Sequence, residues 1–280
     1  MPALPVEKIA ELEETARCLR VNSLKLIHRR GAGHPGGALS AAEIMAVLYF
    51  HELCLDPANP GWEERDRFIL SKGHASALLY SALSRRGFFA ASQLDNWGDV
   101  SCPHQGHPDR LKTPGVDMTS GLLGHGVALG VGLALAARLK GQAYRTYVLL
   151  GDGECQGGIV WEGAMAAAKY RLSNLVAILD YNDVQLDGPV HDVMPLEPLA
   201  EKWSASGWRV VEINGHDVCQ LAEAFALARQ VHDRPVLILA HTTKGRGVSF
   251  MENQSYWHGN VPNAEQLLQA LAELGEVTHG

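Results

Sequence analysis

Two apolar runs in the chain end in oxygen-bearing side chains. Thr146-Tyr147-Val148-Leu149-Leu150 runs into Gly151-Asp152-Gly153-Glu154, and Leu175-Val176-Ala177-Ile178-Leu179 runs into Asp180-Tyr181-Asn182. Buried strands of an α/β sheet present ligands at their carboxyl ends. A carboxylate and an amide oxygen placed side by side there suit a hard divalent cation, which can in turn hold a diphosphate. Around this pair the sequence sets histidines in glycine-rich segments. His34 lies in Gly31-Ala-Gly-His-Pro-Gly-Gly37, His74 in Ser71-Lys-Gly-His74, and His107 in Gly106-His-Pro108. His125 follows Gly121-Leu-Leu-Gly124, and His258 sits in Tyr256-Trp-His-Gly259. Glycine lets backbone approach a ligand closely, and histidine exchanges protons near neutral pH. The plainer readings are an exposed loop histidine for His34 and a helix N-terminal residue without chemistry for His74.

Two alternatives compete for these residues. Gly151 and Gly153 begin a dinucleotide-binding Gly-x-Gly-x-x-Gly, with Asp180 in the part of the ribose-binding acid, but the third glycine position is Gln156. Asp152 would also bring an unneutralised charge beside a pyrophosphate. A cation bridging Asp152 and Asn182 to a diphosphate removes that conflict. Cys102, His104 and His107 invite a zinc reading, yet structural zinc usually takes four ligands in pairs. No Cys-x-x-Cys occurs, so a substrate loop is expected there.

These residues need a scaffold. Ile9, Leu12, Ala16 and Leu19 repeat at helical spacing and Leu26 and Ile27 continue the face, predicting a helix over 6–30 that Gly31 stops. Ser40, with Glu43 completing a capping box, is expected to cap a helix reaching Leu53. Arg67–Leu70 reads as a short strand and Ala75–Arg85 as a helix; 88–120 is irregular and polar. A helix of small residues covers Val127–Leu139. After the Gly-Asp-Gly strand come a helix over Ile159–Tyr170, the Asn182 strand, a loop Val184–Val193 and a short helix Pro198–Ser206. Strands Trp208–Ile213 and Pro235–Ala240 flank a helix over Val218–His232. A polar loop from Thr242 to Glu252 and a helix over Asn263–Leu274 close the chain. This alternation predicts an α/β fold: one domain over 1–280 with a doubly wound, mainly parallel sheet and helices on both faces.

Composition narrows the class. Of 280 residues, 46% are apolar and 20% charged, as in a soluble globular protein. A net charge of −7 argues against nucleic acid or an anionic membrane as the main partner. Scattered cysteines fit a reducing, cytoplasmic compartment. The N-terminal stretch shows no signal-peptide core, and Val127–Ala137 is too short to span a bilayer.

Taken together, Gly151-Asp152-Gly153 with Asn182, Gly33-His34-Pro35-Gly36, Ser71-Lys-Gly-His74, Gly106-His107-Pro108, Gly121-Leu-Leu-Gly124 and Lys244-Gly-Arg-Gly-Val-Ser-Phe-Met-Glu252 resemble the transketolases, from about residue 10 to 260. The resemblance implies thiamine diphosphate and Mg²⁺, with Ca²⁺ or Mn²⁺ able to substitute. Asp152, Asn182 and the Val184 carbonyl would hold the metal. Gly153 and His74 would contact the diphosphate, and Gly121, Leu122 and Leu123 the pyrimidine ring. His34, His107 and His258 would hydrogen-bond sugar hydroxyls and move protons, His258 also touching the cofactor; Lys244 would help hold a loop over it. The implied reaction transfers a two-carbon ketol unit from a ketose phosphate to an aldose, as in pentose phosphate metabolism.

In that family the catalytic glutamate and the aromatic shelf for the pyrimidine belong to a further domain. The expectation is therefore the N-terminal subunit of a split transketolase, inactive alone and joined by a pyrimidine-binding chain in an α₂β₂ assembly. A subunit of a 1-deoxyxylulose-5-phosphate synthase-like enzyme and a noncatalytic, regulatory paralogue are the alternatives. Two positions depart from the family. Gly157 stands where a glutamate of an intersubunit carboxylate cluster is frequent, and His125, where glutamine is usual, is expected to cap its helix. The donor and acceptor sugars are not encoded in these motifs.

Overall fold

The computed structural model describes residues 4–276; Met1 to Ala3, part of the stretch read above for a signal peptide, lie outside the described residues. Five strands form one parallel sheet in the order β1-β2-β3-β5-β4: β1 (Arg67–Leu70), β2 (Thr146–Gly151), β3 (Leu175–Tyr181), β4 (Arg209–Asn214) and β5 (Val236–His241). The inner strands are covered on both faces, which is why they read as unbroken apolar runs rather than alternating ones.

Among the described residues, ten helices accompany the sheet: α1 (Val6–Arg30), α2 (Pro35–Ser40), α3 (Ala42–Val47), α4 (Ser76–Arg86), α5 (His125–Lys140), α6 (Gly158–Lys169), α7 (Val190–Val193), α8 (Leu199–Ala205), α9 (Val218–Gln230) and α10 (Ala264–Glu273). Tyr147, Leu149, Val176 and Ile178 point to the layer of α1, α3, α4 and α9. Their neighbours Val148, Leu150, Ala177 and Leu179 point to the layer of α5, α6 and α8. The doubly wound expectation is met.

Small residues bring α5 onto the sheet. A Cβ on Gly126 would collide with the Ser71 side chain, and one on Gly130 would lie 2.7 Å from Val148. On the outward side, Gly132 has nothing within 4 Å. The N-terminus of α5 is thereby set against the exit of β1, where Ser71 and His74 begin.

The expected capped helix from Ser40 to Leu53 is not what forms. Pro35 opens α2 inside the glycine segment, in the first-turn position proline favours. The chain breaks at Ala41 (φ −99°, ψ 15°), resumes as α3 and ends in a π-helical turn over Leu48–Glu52. Ser40 caps nothing; its hydroxyl lies 2.6 Å from Asp180 Oδ2. Glu43 turns inward instead of back to a cap. Arg20 Nη2 donates to Glu43 Oε2 at 2.5 Å, and His216 Nδ1 lies 3.0 Å from the same oxygen. His216 Nε2 accepts the Thr243 N–H at 2.8 Å, so the ring proton is on Nδ1. This relay ties α1, α3 and the turn before α9 to the loop leaving β5.

Burial pushes the Glu43 carboxyl up, but the His216 hydrogen bond and the Arg20 guanidinium outweigh it and hold it down to about 2. A folded value below the unfolded one adds stability above about pH 4.5 that is lost as pH falls toward 2. Glu43→Gln is expected to lower the unfolding free energy by about 3 kcal/mol near pH 7. Urea denaturation at neutral and acid pH checks this: the gap from the wild type should shrink below about pH 4.5, and a pH-independent gap would contradict the assignment.

Candidate functional site

The carboxyl ends of β2, β3 and β5 and the segment leaving β1 converge on one cavity of about 240 Å³. Asp152, the first residue after β2, is 3% exposed. Its Oδ1 accepts the Gly153 N–H at 2.7 Å, and its Oδ2 accepts those of Asn182 (3.0 Å) and Asp183 (2.6 Å). Three backbone donors therefore fix the carboxylate, and Asp183 takes φ 58° to complete the turn. Burial and then the charge of Asp180 still push Asp152 up to about 6. Such a carboxylate is poised to gain from an added positive charge.

Asn182 donates from Nδ2 to Asp180 Oδ2 at 3.2 Å, and its Oδ1 accepts the Val184 N–H at 3.2 Å. The Val184 carbonyl accepts a hydrogen bond from Lys244 Nζ at 2.8 Å. A cationic group thus already rests on the carbonyl assigned to a metal from the sequence. Lys244 is 2% exposed. Burial, then the nearby Lys72, lower it to about 8 against the pull of Asp152 and Asp180.

His34, His74 and His258 form a triangle with ring centroids 5.1, 5.5 and 5.1 Å apart. Lys244 Nζ lies 3.0 Å from His258 Nδ1. With the ammonium donating, the proton of the neutral ring sits on Nε2. Burial first, then Lys244, lowers His258 to about 3; burial first, then Lys72, drives His74 well below the usual range. His34 is lowered by burial and then by His107. Among the described residues, the rings of His34, His74 and His107 make no hydrogen bond. Glycine permits this crowding: a Cβ on Gly36 would lie 2.9 Å from the Trp257 carbonyl and 3.0 Å from the Lys244 side chain.

The cavity gathers Asp152, Gly153, Asn182, Val184, His74, Leu123, Lys244 and His258 from the sequence-derived set. His34 joins through its ring contacts. His107, Gly121 and Leu122 do not line it; His107 is exposed and packs beside Gly121. Leu122 and Leu123 are 73% and 51% exposed. The His125 expectation fails: Gly124 takes the cap position with no side-chain hydrogen bond, and the exposed His125 ring only approaches the Leu123 carbonyl at 3.3 Å. His104 is buried against Phe89, centroids 4.2 Å apart, and no group of three His, Cys, Asp or Glu side chains is placed to hold a metal among the described residues.

Sequence reasoning missed the supports. Asp180 is no ribose ligand: it is fully buried and held by Lys72, Ser40 and Thr242. Lys72 also donates to the Gly37 carbonyl at 2.8 Å. Glu154 accepts from Ser71 Oγ (2.6 Å), Gly124 N–H (2.7 Å) and Gly151 N–H (2.7 Å), binding three site segments through one buried carboxylate. A lysine beside Gly-His at a strand exit, and an acid directly after Gly-Asp-Gly, were the available signals. Gly37, Gly151, Gln156, Gln185 and Leu186 complete the lining, and Gln185 and Leu186 carried no signal.

A family profile described as "Transketolase, thiamine diphosphate binding domain" matches residues 12–278. A subunit of the apulose-4-phosphate transketolase of Phocaeicola vulgatus is 39% identical over 269 residues, covering 96% of this chain and 95% of that protein. The 6-deoxy-6-sulfo-D-fructose transketolase subunit SqwG of Clostridium sp. is 41% identical over 268 residues, covering 96% and 98%. Human transketolase is 39% identical over 272 residues, 95% of this chain but 42% of its own length. The solved transketolase of Leishmania mexicana superposes with a TM-score of 0.90 at 32% identity, over 95% of this chain and 42% of that one. The chain thus spans nearly all of the two subunit relatives and less than half of the solved enzyme.

The environment of His258 is directly testable. Its imidazole is expected to stay neutral, protonated on Nε2, between about pH 5 and 8. Histidine ¹⁵N NMR of the isolated chain would show this, and an inflection near the ordinary histidine value would refute it.

Proposed function

The chain belongs to the transketolase family through its thiamine diphosphate-binding domain, and on that premise we propose that it is the diphosphate-binding subunit of a two-chain transketolase. The reaction is transfer of a two-carbon ketol unit from a ketose phosphate to an aldose. The observation that carries the reading is the oxygen set at the strand ends: a buried Asp152 carboxylate gripped by three backbone N–H groups, beside a Val184 carbonyl that already takes the Lys244 ammonium. One carboxylate, one amide oxygen and one carbonyl are hard donors that suit Mg²⁺ with its remaining positions filled by phosphate and water, and Ca²⁺ or Mn²⁺ can substitute.

In this reading Asp152, Asn182 and the Val184 carbonyl hold the metal. Gly153, His74, Lys244 and His258 face the diphosphate, and Gly121, Leu122 and Leu123 flank the pyrimidine. Bound thiamine diphosphate supplies the electron sink for breaking the bond beside a ketose carbonyl. The chain supplies position and hydrogen bonds. His258 is too weak a base to carry a proton near pH 7 while Lys244 donates to it, so it serves as an Nε2–H donor. His34 and His107, their ring nitrogens unengaged, are free to hold sugar hydroxyls and exchange protons with them.

The described cavity is lined on one side by Leu123 and Leu186, 51% and 60% exposed. Apolar side chains left bare at the mouth of a polar cavity support completion by a second chain that brings the pyrimidine-binding domain and its catalytic glutamate. The assembly proposed is α₂β₂, with 1–280 as one diphosphate-binding domain. No described helix is long and apolar enough to cross a membrane, and unpaired cysteines fit a cytoplasmic setting within pentose phosphate or related carbohydrate metabolism. The histidine set favours a sugar donor over pyruvate.

Asp152→Ala is expected to abolish Mg²⁺-dependent thiamine diphosphate binding by the chain, followed by calorimetry; retained affinity would count against the metal assignment. In the reconstituted two-chain enzyme, His107→Ala should reduce ketol transfer by about 10²-fold or more with cofactor affinity kept, while unchanged turnover would favour a noncatalytic role. The isolated chain should show no transfer, checked by a coupled assay with and without the partner.

A further inference from the structure

A second cavity, about 510 Å³, lies away from the Asp152 site. Arg67, which opens β1, helps line it, so it sits toward the amino edge of the sheet, whereas Asp152 sits at the carboxyl edge. Its volume is in the range of small-molecule sites.

Four cations line this cavity, Arg65, Arg67, Arg110 and Lys112, against one carboxylate, Asp117. In a chain with a net charge of −7, that is a local reversal of sign. Asp117 is committed: Oδ1 lies 2.6 Å from Arg65 Nη2 and 3.8 Å from Arg67 Nε, and Oδ2 accepts the Phe68 N–H at 2.8 Å. Backbone carbonyls brace both guanidiniums. Arg65 donates to those of Pro60 and Asp66, and Arg67 to those of Arg65, Asp66 and Glu63. The two are a fixed, positively charged floor. Burial and then the neighbouring Arg65 push the Arg67 pKa down, so an added anion would relieve rather than strain it. At the rim the charge of Arg110 is unspent and that of Lys112 only loosely paired. The Arg110 side chain makes no ion pair or hydrogen bond among the described residues, and Lys112 is no nearer than 4.0 Å to Asp109. Trp62 adds an aromatic wall.

The rim belongs to a loop that leaves and rejoins the candidate site. The Ser120 N–H bonds the Pro108 carbonyl at 3.1 Å, and the Arg110 N–H bonds Thr119 Oγ1 at 3.2 Å. The two ends are clasped beside His107 and Gly121, while the body carries Arg110 and Lys112.

We propose that this cavity binds a small phosphate-bearing metabolite, with Arg110 and Lys112 engaging the phosphate above the Arg65–Arg67 floor. A phosphate has the acceptor oxygens and charge that arginine forks and a lysine ammonium recognise. Occupancy steadies the loop from which His107 and Gly121 hang. This site is independent of the transketolase reading. Ribose 5-phosphate titrated calorimetrically into the chain, without added metal and at low salt, should bind saturably, and ribose should not. The Arg110→Ala/Lys112→Ala variant, altered only at exposed side chains and checked for an unchanged melting midpoint, should bind about tenfold or more weakly. His258→Ala, altered at the other cavity, should bind as the wild type does. Absence of saturable binding, an affinity unchanged in the double variant, or an equal loss in His258→Ala would overturn the proposal.

Discussion

Lys72 and Asp180 form an ion pair buried at 2% and 0% exposure, at the carboxyl end of β3. Taking both charges out of water is costly, and hydrogen bonds from neighbouring segments offset that cost. Asp180 also meets Ser40 at the end of α2, Thr242 after β5 and the amide of Asn182; Lys72 also meets the Gly37 carbonyl. Four segments that are distant in sequence are thus fixed by one pair. Removing either charge would strand the other, a penalty of about 3–5 kcal/mol. The same pair orients Asn182, because its Nδ2 faces Asp180 and its oxygen must face the other way.

Glu154 performs a parallel service with neutral partners. It joins the exits of β1 and β2 to the start of α5. Between these two buried acids lies a group of histidines and lysines with no carboxylate of its own apart from Asp152. Burial first, and then the neighbouring positive charges, keep the imidazoles neutral, and neutral imidazoles can both donate and accept. In the function proposed here, that leaves the site ready for anionic phosphate at one end and hydroxyl groups at the other.

The sheet and the longer helices were legible in the sequence because their signals are local. Unbroken apolar runs gave β2, β3 and β5, and Gly31 ends α1 in the left-handed conformation expected of a helix stop. The failures lie where local letters were overruled at a distance. Ser40 and Glu43 spell a capping box, yet a buried carboxylate from β3 claims the first and a guanidinium from α1 the second. His125 stands at a helix start and caps nothing. Asp152, Asn182 and the histidines were identifiable as types in loops. Which of them meet in one cavity depends on strand order, so the distance of His107, Gly121 and Leu122 from the lining could not be read from spacing.

Helix α5 is pressed onto the sheet at Gly126 and Gly130 and open at Gly132. Its latitude for change is therefore one-sided. A methyl group added at Gly126 has to move Ser71, and with it the hydroxyl that holds Glu154; the same methyl at Gly132 meets nothing within 4 Å. Sequence drift along this helix is channelled outward, so the surface offered to other molecules can diversify while the depth of the site beneath it stays constant.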